Sequence, residues 1–211
     1  MAELQKLHDA ILSGDAKTAV AVTTEALAEG VSPLELVQKY MVPAMDEVGH
    51  RFECEEYFVP ELLLAARAMK GSLELIRPLL VASGAQPVGQ VAIGTVKGDL
   101  HDIGKNLVAA LLEGGGFEVI DLGADVSPEK FVAAVKEKNA KIVALSALLT
   151  VTMPSMKTTI QALKDAGVRD GVKVMVGGAP VTEQFAKEIG ADGYSENAST
   201  AVALARKLAA A

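Results

Sequence analysis

From Val91 onward, short runs rich in aliphatic and β-branched residues alternate with longer runs of helical periodicity. The strand candidates are "VAIGTV", "FEVIDLG", "KIVALSA", "VKVMVGG" and the very short "GYSE". Helices are predicted between and after them at 103–113, 128–138, 154–166, 182–189 and 197–208. Strands joined by helices run parallel, because each helix returns the chain to the edge of the sheet from which it left. Right-handed crossovers then restrict the sheet to a doubly wound, Rossmann-like arrangement of five parallel strands, with 2-1-3-4-5 the expected order.

Up to about residue 82 the pattern is different. Apolar residues recur at three- and four-residue spacing in "LQKLHDAIL", "AKTAVAVTTEALAEG", "SPLELVQKYMVPAMDEVG" and "PELLLAARAMKGSLELIRPLL", with almost no strand signal. Ser32 followed by Pro33 and Glu35 reads as a helix start, the serine capping and the proline occupying the first turn. Four helices with short connections predict a small antiparallel bundle. The segment "ASGAQPVGQ" has the Gly, Pro and polar content of a connection. The expected organisation is a helical bundle over 1–82, a linker over 83–90 and an α/β domain over 91–211.

Composition narrows the function. A net charge of −7 argues against nucleic acid as main partner, because a phosphate-binding face needs clustered Lys and Arg. The single cysteine, Cys54, excludes an internal disulfide framework and a Cys-rich metal site, and fits a reducing, cytoplasmic compartment. The N-terminal "MAELQKLHDAILSGDAK" carries charges throughout and does not read as a signal peptide. The uncharged "IVALSALLTVTMPSM" is too short to span a bilayer.

In a 2-1-3-4-5 sheet, ligands bind beyond the carboxyl ends of the strands, in the crevice between strands 1 and 3. Every unusual loop falls on that edge: "GTVKGDLHDIGKNL" after strand 1, "SALLTVT" at the end of strand 3, "GGAP" after strand 4 and "GADGYSENAS" around strand 5. Several readings of these residues stand side by side. His101 is either an exposed residue at a helix start or a metal ligand, and Asp99 is either a helix N-cap or the carboxylate that fixes the histidine tautomer. Asp102 suits the positive end of the helix dipole. Ser146 and Thr150 either satisfy backbone groups at the strand end or meet a ligand, and Gly177-Gly178 either serves a tight strand-to-helix turn or also lets a bulky ligand approach the backbone. A phosphate loop is excluded. Five residues separate Gly98 from Gly104, Asn106 stands where a Ser or Thr would bind magnesium, and two aspartates would repel phosphate. The other histidines, His8 and His50, lie in the helical half, so a metal bound by His101 would arrive already held by something else, such as a macrocycle.

Asp99-x-His101-x-x-Gly104, then Ser146-x-Leu148, then Gly177-Gly178, resembles the cobalamin-binding signature of base-off/His-on corrinoid proteins. The helical half resembles the cap that precedes the corrinoid module of cobalamin-dependent methionine synthase. The whole chain is similar to the stand-alone corrinoid proteins of three-component methyltransferase systems that demethylate methanol, methylamines, betaines or methoxylated aromatics. The resemblance implies a corrinoid cofactor with His101 as lower axial cobalt ligand, Asp99 on the far nitrogen of His101, and Thr152 as the third member of the relay. It implies a nucleotide tail running past Gly104, Ser146, Leu148 and Gly177-Gly178, and it adds Asp102, Ile103, Thr150 and Tyr194 to the cofactor-binding residues. Phe52 and Val59 would shield the cobalt-bound methyl, although ordinary bundle core is the alternative for both.

The implied role is a methyl carrier rather than a complete enzyme. Its partners would be a substrate:corrinoid methyltransferase, a methylcorrinoid:acceptor methyltransferase using coenzyme M or tetrahydrofolate, and a reductive activation protein. The bundle would swing aside between them on the "ASGAQPVGQ" hinge. Two other classes share the signature: the small subunit of an adenosylcobalamin mutase, which lacks such a bundle, and a cobalamin-based sensor, which normally carries an output domain.

Overall fold

A computed structural model describes residues 3–82 and 87–210. The chain divides into two compact units, Met1–Pro87 with Glu113–Gly116, and Val88–Leu112 with Phe117–Ala211. Residues 83–86 of the expected linker lie outside the described residues, and Gln90, expected within it, already opens the first strand.

The first unit is helical. It holds α1 (Gln5–Leu12), α2 (Ala16–Ala28), a composite third helix and α5 (Val59–Ala82). The composite is α3 (Pro33–Leu36), a π-helical turn (Val37–Met41) and α4 (Val42–Glu53). The run from residue 32 reads in sequence as one regular helix, so the π turn is new. It lies just before Pro43, which has no N–H to offer the carbonyl four residues back. Ser32 does occupy the N-cap, with Pro33 behind it, but its hydroxyl makes no capping hydrogen bond; only its carbonyl accepts, from Leu36 N–H at 3.1 Å. Small and flexible side chains fill the interior, among them Ala19 and Ala26 of α2, Met45 of α4, and Ala65, Ala68 and Met69 of α5. Alanines here let the backbones approach closely. Among the described residues no helix is long and apolar enough to cross a membrane.

The second unit is the parallel sheet. β1 (Gln90–Thr95), β2 (Glu118–Asp121), β3 (Ile142–Ser146), β4 (Lys173–Gly177) and β5 (Gly193–Ser195) lie in the order β2-β1-β3-β4-β5, every pair parallel. The helices between and after them are α6 (Ile103–Gly114), α7 (Pro128–Lys138), α8 (Pro154–Asp165), α9 (Glu183–Ile189) and α10 (Ala198–Ala209). The expected fold and strand order are therefore observed.

Strand alternation gives the sheet two different faces. On one, Val91, Ile93, Ile142, Ala144 and Met175 pack with residues of α6 and α10 such as Ala109, Leu112 and Ala205. On the other, Val143, Leu145, Val174 and Val176 pack with Phe131 of α7, Met156 and Ile160 of α8, and Ile189 of α9. The Phe131 ring lies against Gly94, where an added Cβ would stand 2.8 Å from the ring. Phe131 is wholly buried. Phe131→Ala is therefore expected to destabilise the chain by about 3–5 kcal/mol and Gly94→Ala by about 1–3 kcal/mol, read from denaturant unfolding midpoints.

Candidate functional site

The loops after β1 and β3 meet on one carboxylate. Asp99 is wholly buried, so its charge is satisfied by protein donors or not at all. Its Oδ1 accepts from the backbone N–H of His101 at 3.0 Å and from the His101 ring Nδ1 at 2.8 Å. Its Oδ2 accepts from Leu148 N–H at 2.8 Å, Leu149 N–H at 3.3 Å and the Thr152 hydroxyl at 2.7 Å. Asp99 is thus no helix cap: α6 begins at Ile103, and Asp102 stands at its N-cap position, with its carbonyl accepting from Asn106 N–H.

Burial pushes the Asp99 carboxyl up, but the Thr152 hydroxyl, the backbone N–H groups of His101 and Leu148 and the His101 ring together outweigh it. They hold the group far below the usual carboxylate range. An ionised carboxylate can only accept, so the Nδ1 that faces it carries the proton. In the neutral ring, Nε2 then keeps its lone pair, and the His101 side chain is 50% exposed. The extra methyl of threonine does no harm to this arrangement. Thr152 Cγ2 lies towards Gly98, where even an added Cβ would find it at an ordinary 3.7 Å.

An apolar surface adjoins the imidazole. Leu100 and Ile103 beside His101, and Leu148, Leu149 and Val151 in the loop after β3, are all substantially exposed, Ile103 and Val151 to 81% and 80%. Such residues clustered around one polar nitrogen mark a site for a large, largely apolar ligand. Gly104 adds room. An added Cβ there would meet nothing within 4 Å, so no packing among the described residues requires glycine, although glycine weakens a helix. Among the described residues no cluster of three or more His, Cys, Asp or Glu could hold a metal ion. A ligand with its own metal, needing one nitrogen, is the chemistry that this donor set fits.

The remaining expected residues divide by sheet face. Thr95, Ser146, Gly177 and Ser195 are register partners in turn across β1, β3, β4 and β5, a row of small residues along the carboxyl edge on the α6/α10 side. Ser146 and Thr150 make no side-chain hydrogen bond among the described residues, so neither serves the strand end as a satisfied cap. Gly178 has a local reason to be glycine. Its φ is +131°, and an added Cβ would collide with the Ala147 carbonyl. Tyr194 pairs with Val176, packs among the apolar residues of the α7/α8/α9 face and lines a cavity of about 430 Å³ with Lys187 and Lys207. It is on the opposite face from the Ser146–Gly177 row. In the helical unit, Phe52 of α4 is half-buried and Val59 at the start of α5 is 40% exposed, so neither is bundle core.

Several site residues escape sequence reasoning. Thr95 is buried and its hydroxyl donates to the His101 carbonyl at 3.1 Å. Asp125, in the loop after β2, accepts from Gly98 N–H at 2.8 Å. The exposed Phe58 beside Val59 also gives no signal that separates it from core. Val151 alone could have been noticed, as a bulky apolar residue at a turn position with no partner stripe.

Two family models, both described as B12 binding domain, match the chain, one over residues 89–203 and the other over residues 3–77. The chain belongs to the B12-binding corrinoid proteins. Its relatives include the trimethylamine corrinoid protein of Methanosarcina barkeri, 47% identical over 95% of this chain and 93% of that one. The dimethylamine corrinoid protein of the same organism is 46% identical over 98% and 97%. Among solved structures, a cobalamin-binding protein from Desulfitobacterium hafniense matches with a TM-score of 0.82 at 35% identity, covering 99% of each chain. The methanol:cobalamin methyltransferase complex of Methanosarcina barkeri matches with a TM-score of 0.86 at 29% identity, covering 98% of this chain and 79% of that one. The cofactor of this corrinoid protein is cobalamin or a related corrinoid.

The Asp99 hydrogen bonds give the corrinoid protein a pH signature. A carboxyl depressed in the folded state adds stability that is complete above its unfolded value, about pH 4, and is lost as pH falls through the lower folded value. Thr152→Val removes the strongest of the bonds that lower the carboxyl and leaves its burial in place. The Asp99 carboxyl is then expected to titrate at higher pH by ¹³C NMR in the apo chain, with a stability loss of about 1–3 kcal/mol at neutral pH. Thr152→Ser is expected to keep both near wild type.

Proposed function

We propose that this chain carries methyl groups on a corrinoid in a methylamine methyltransferase system, and that the His101 imidazole would hold the corrinoid's cobalt. The carrying observation is the half-exposed His101 ring, held through Nδ1 by buried Asp99 and bordered by exposed apolar side chains. When bound, the corrinoid supplies a cobalt that accepts and gives up a methyl group. The protein's part is to present, orient and electrically tune one nitrogen. Asp99 fixes the tautomer, and its negative charge makes the imidazole a stronger donor. Thr152 keeps that charge from being neutralised. Gly104, Ser146, Leu148 and Gly177 would line the path of the cofactor's tail, with Asp102, Ile103 and Thr150 beside it. Tyr194 is left out because it faces the other side of the sheet. In the helical unit, Phe52 and Val59 would shield the methyl group, and their exposure supports availability to a ligand.

The near full-length match to trimethylamine and dimethylamine corrinoid proteins supports a methylamine as the methyl source. It favours a carrier over a mutase subunit or a sensor. The reading makes the chain no enzyme by itself, but a cytoplasmic subunit served by a substrate methyltransferase, an acceptor methyltransferase and a reductive activation protein. The division into a bundle over 1–82 and a corrinoid domain from 91 belongs to the same reading.

Reconstitution with hydroxocobalamin tests the ligand. The wild type is expected to show the absorption of an imidazole-ligated corrinoid, and His101→Ala to lose it; an unchanged spectrum removes the assignment. The methyl source is tested with the reduced, reconstituted chain. Methylation is expected with a trimethylamine or dimethylamine methyltransferase and its amine, and little or none with a methanol methyltransferase.

A further inference from the structure

The residue that follows the signature, Lys105, is only 2% exposed, and its side chain only 1%. Lysine is among the residues least often buried, since its ammonium gives up hydration. It also sits in the first turn of α6, the end of a helix where a cation is disfavoured. Both costs are met by one partner. The ammonium lies 2.6 Å from each carboxylate oxygen of Asp121, the last residue of β2, whose own side chain is 46% exposed. Replacing a buried ion pair by apolar residues of like volume is often neutral or stabilising, so stability alone does not explain a lysine here.

The segment that Asp121 begins suggests the explanation. Asp121 Oδ1 also accepts from Gly123 N–H at 2.9 Å. The Gly123 carbonyl accepts from Thr95 N–H at 3.0 Å, and the Thr95 hydroxyl donates to the His101 carbonyl. Two residues on, Asp125 N–H donates to the Asp99 carbonyl at 2.9 Å while its side chain holds Gly98. Asp125 does this at φ +52°, a left-handed conformation uncommon outside glycine. The loop after β2 is thus bonded to Thr95, Gly98 and Asp99, the segment that leads to His101.

We infer that the Lys105–Asp121 pair is a latch that sets the position of His101, and that Lys105 is a positioning residue for axial ligation. The pair ties the first turn of α6 to the end of β2, and the loop after β2 carries that constraint to Thr95, Asp99 and His101. A flexible apolar side chain in place of Lys105 would fill the space but fix no register. This rests on His101 being the axial ligand.

The test uses the full chain with ¹⁵N-labelled histidine, first without corrinoid and then with hydroxocobalamin. In the wild type, His101 is expected as a single Nδ1–H tautomer. Lys105→Met is expected to leave the ring averaging between tautomers, with amide exchange at Gly98 and Val126 about tenfold faster and a smaller imidazole-ligated fraction in the absorption spectrum. Asp121→Asn, at a half-exposed side chain, is expected to do the same and covers the case in which Lys105→Met fails to fold. A fixed Nδ1–H tautomer with unchanged amide exchange in either folded variant overturns the latch. If the wild type binds hydroxocobalamin without imidazole ligation, the axial-ligand reading fails separately, and the tautomer and exchange data still decide whether the pair holds the loop.

Discussion

The charge on Asp99 is the constraint on which the rest of the site depends. A carboxylate without water must collect donors from the chain, and no single loop of this length has enough of them. Asp99 draws two from its own loop, both belonging to His101, and three from the loop after β3, some fifty residues away. The two loops can satisfy it only when β1 and β3 are adjacent, which is the point at which a 2-1-3-4-5 sheet reverses its order. Topology supplies the crevice, and the carboxylate holds its two rims together. Its ionisation also decides the chemistry, because an acceptor-only group leaves His101 no choice about which nitrogen keeps the proton.

Around this polar centre the chain breaks the rules that it keeps elsewhere. Ile103 and Val151 are exposed, Gly104 sits in a helix with nothing near it, and Lys105 is buried. Each departure costs stability; Ile103, Gly104 and Lys105 follow His101 directly in the chain, and Val151 precedes Thr152, whose hydroxyl reaches Asp99. Local conflict concentrated at one edge of an otherwise consistent α/β fold is what a binding site looks like energetically. The two sheet faces, by contrast, are packed with β-branched and aliphatic side chains as the strand pattern demands.

The fold was legible because it rests on periodicity. The strand–helix alternation, the parallel order and the helix positions after residue 100 follow from patterns that survive in one dimension. The site was partly legible: Asp99, His101 and Thr152, which the resemblance names together, are joined by hydrogen bonds. What escaped depends on register or on absent donors. Thr95 joins the site only because β1 places it opposite Ser146 and above His101, and Tyr194 leaves it because one residue along a strand is the other face. The π turn before Pro43 leaves no mark in the apolar spacing of the run that contains it. Nothing in the sequence sets Lys105 apart from other helix lysines, and its burial appears only when the end of β2 is set beside α6.

Three glycines that look alike in the signature are glycines for different reasons. Gly178 is required by the fold, since its φ and the Ala147 carbonyl exclude a side chain. Gly177 is constrained more mildly, with the Ser195 carbonyl 3.0 Å from an added Cβ. Gly104 meets nothing within 4 Å of an added Cβ among the described residues, so packing supplies no reason for it, and under the proposed function the room would serve the ligand. A motif therefore mixes residues that build the edge of the sheet with residues that keep space open beyond it. Only the second kind carries information about the ligand, and among the three glycines Gly104 alone belongs to it.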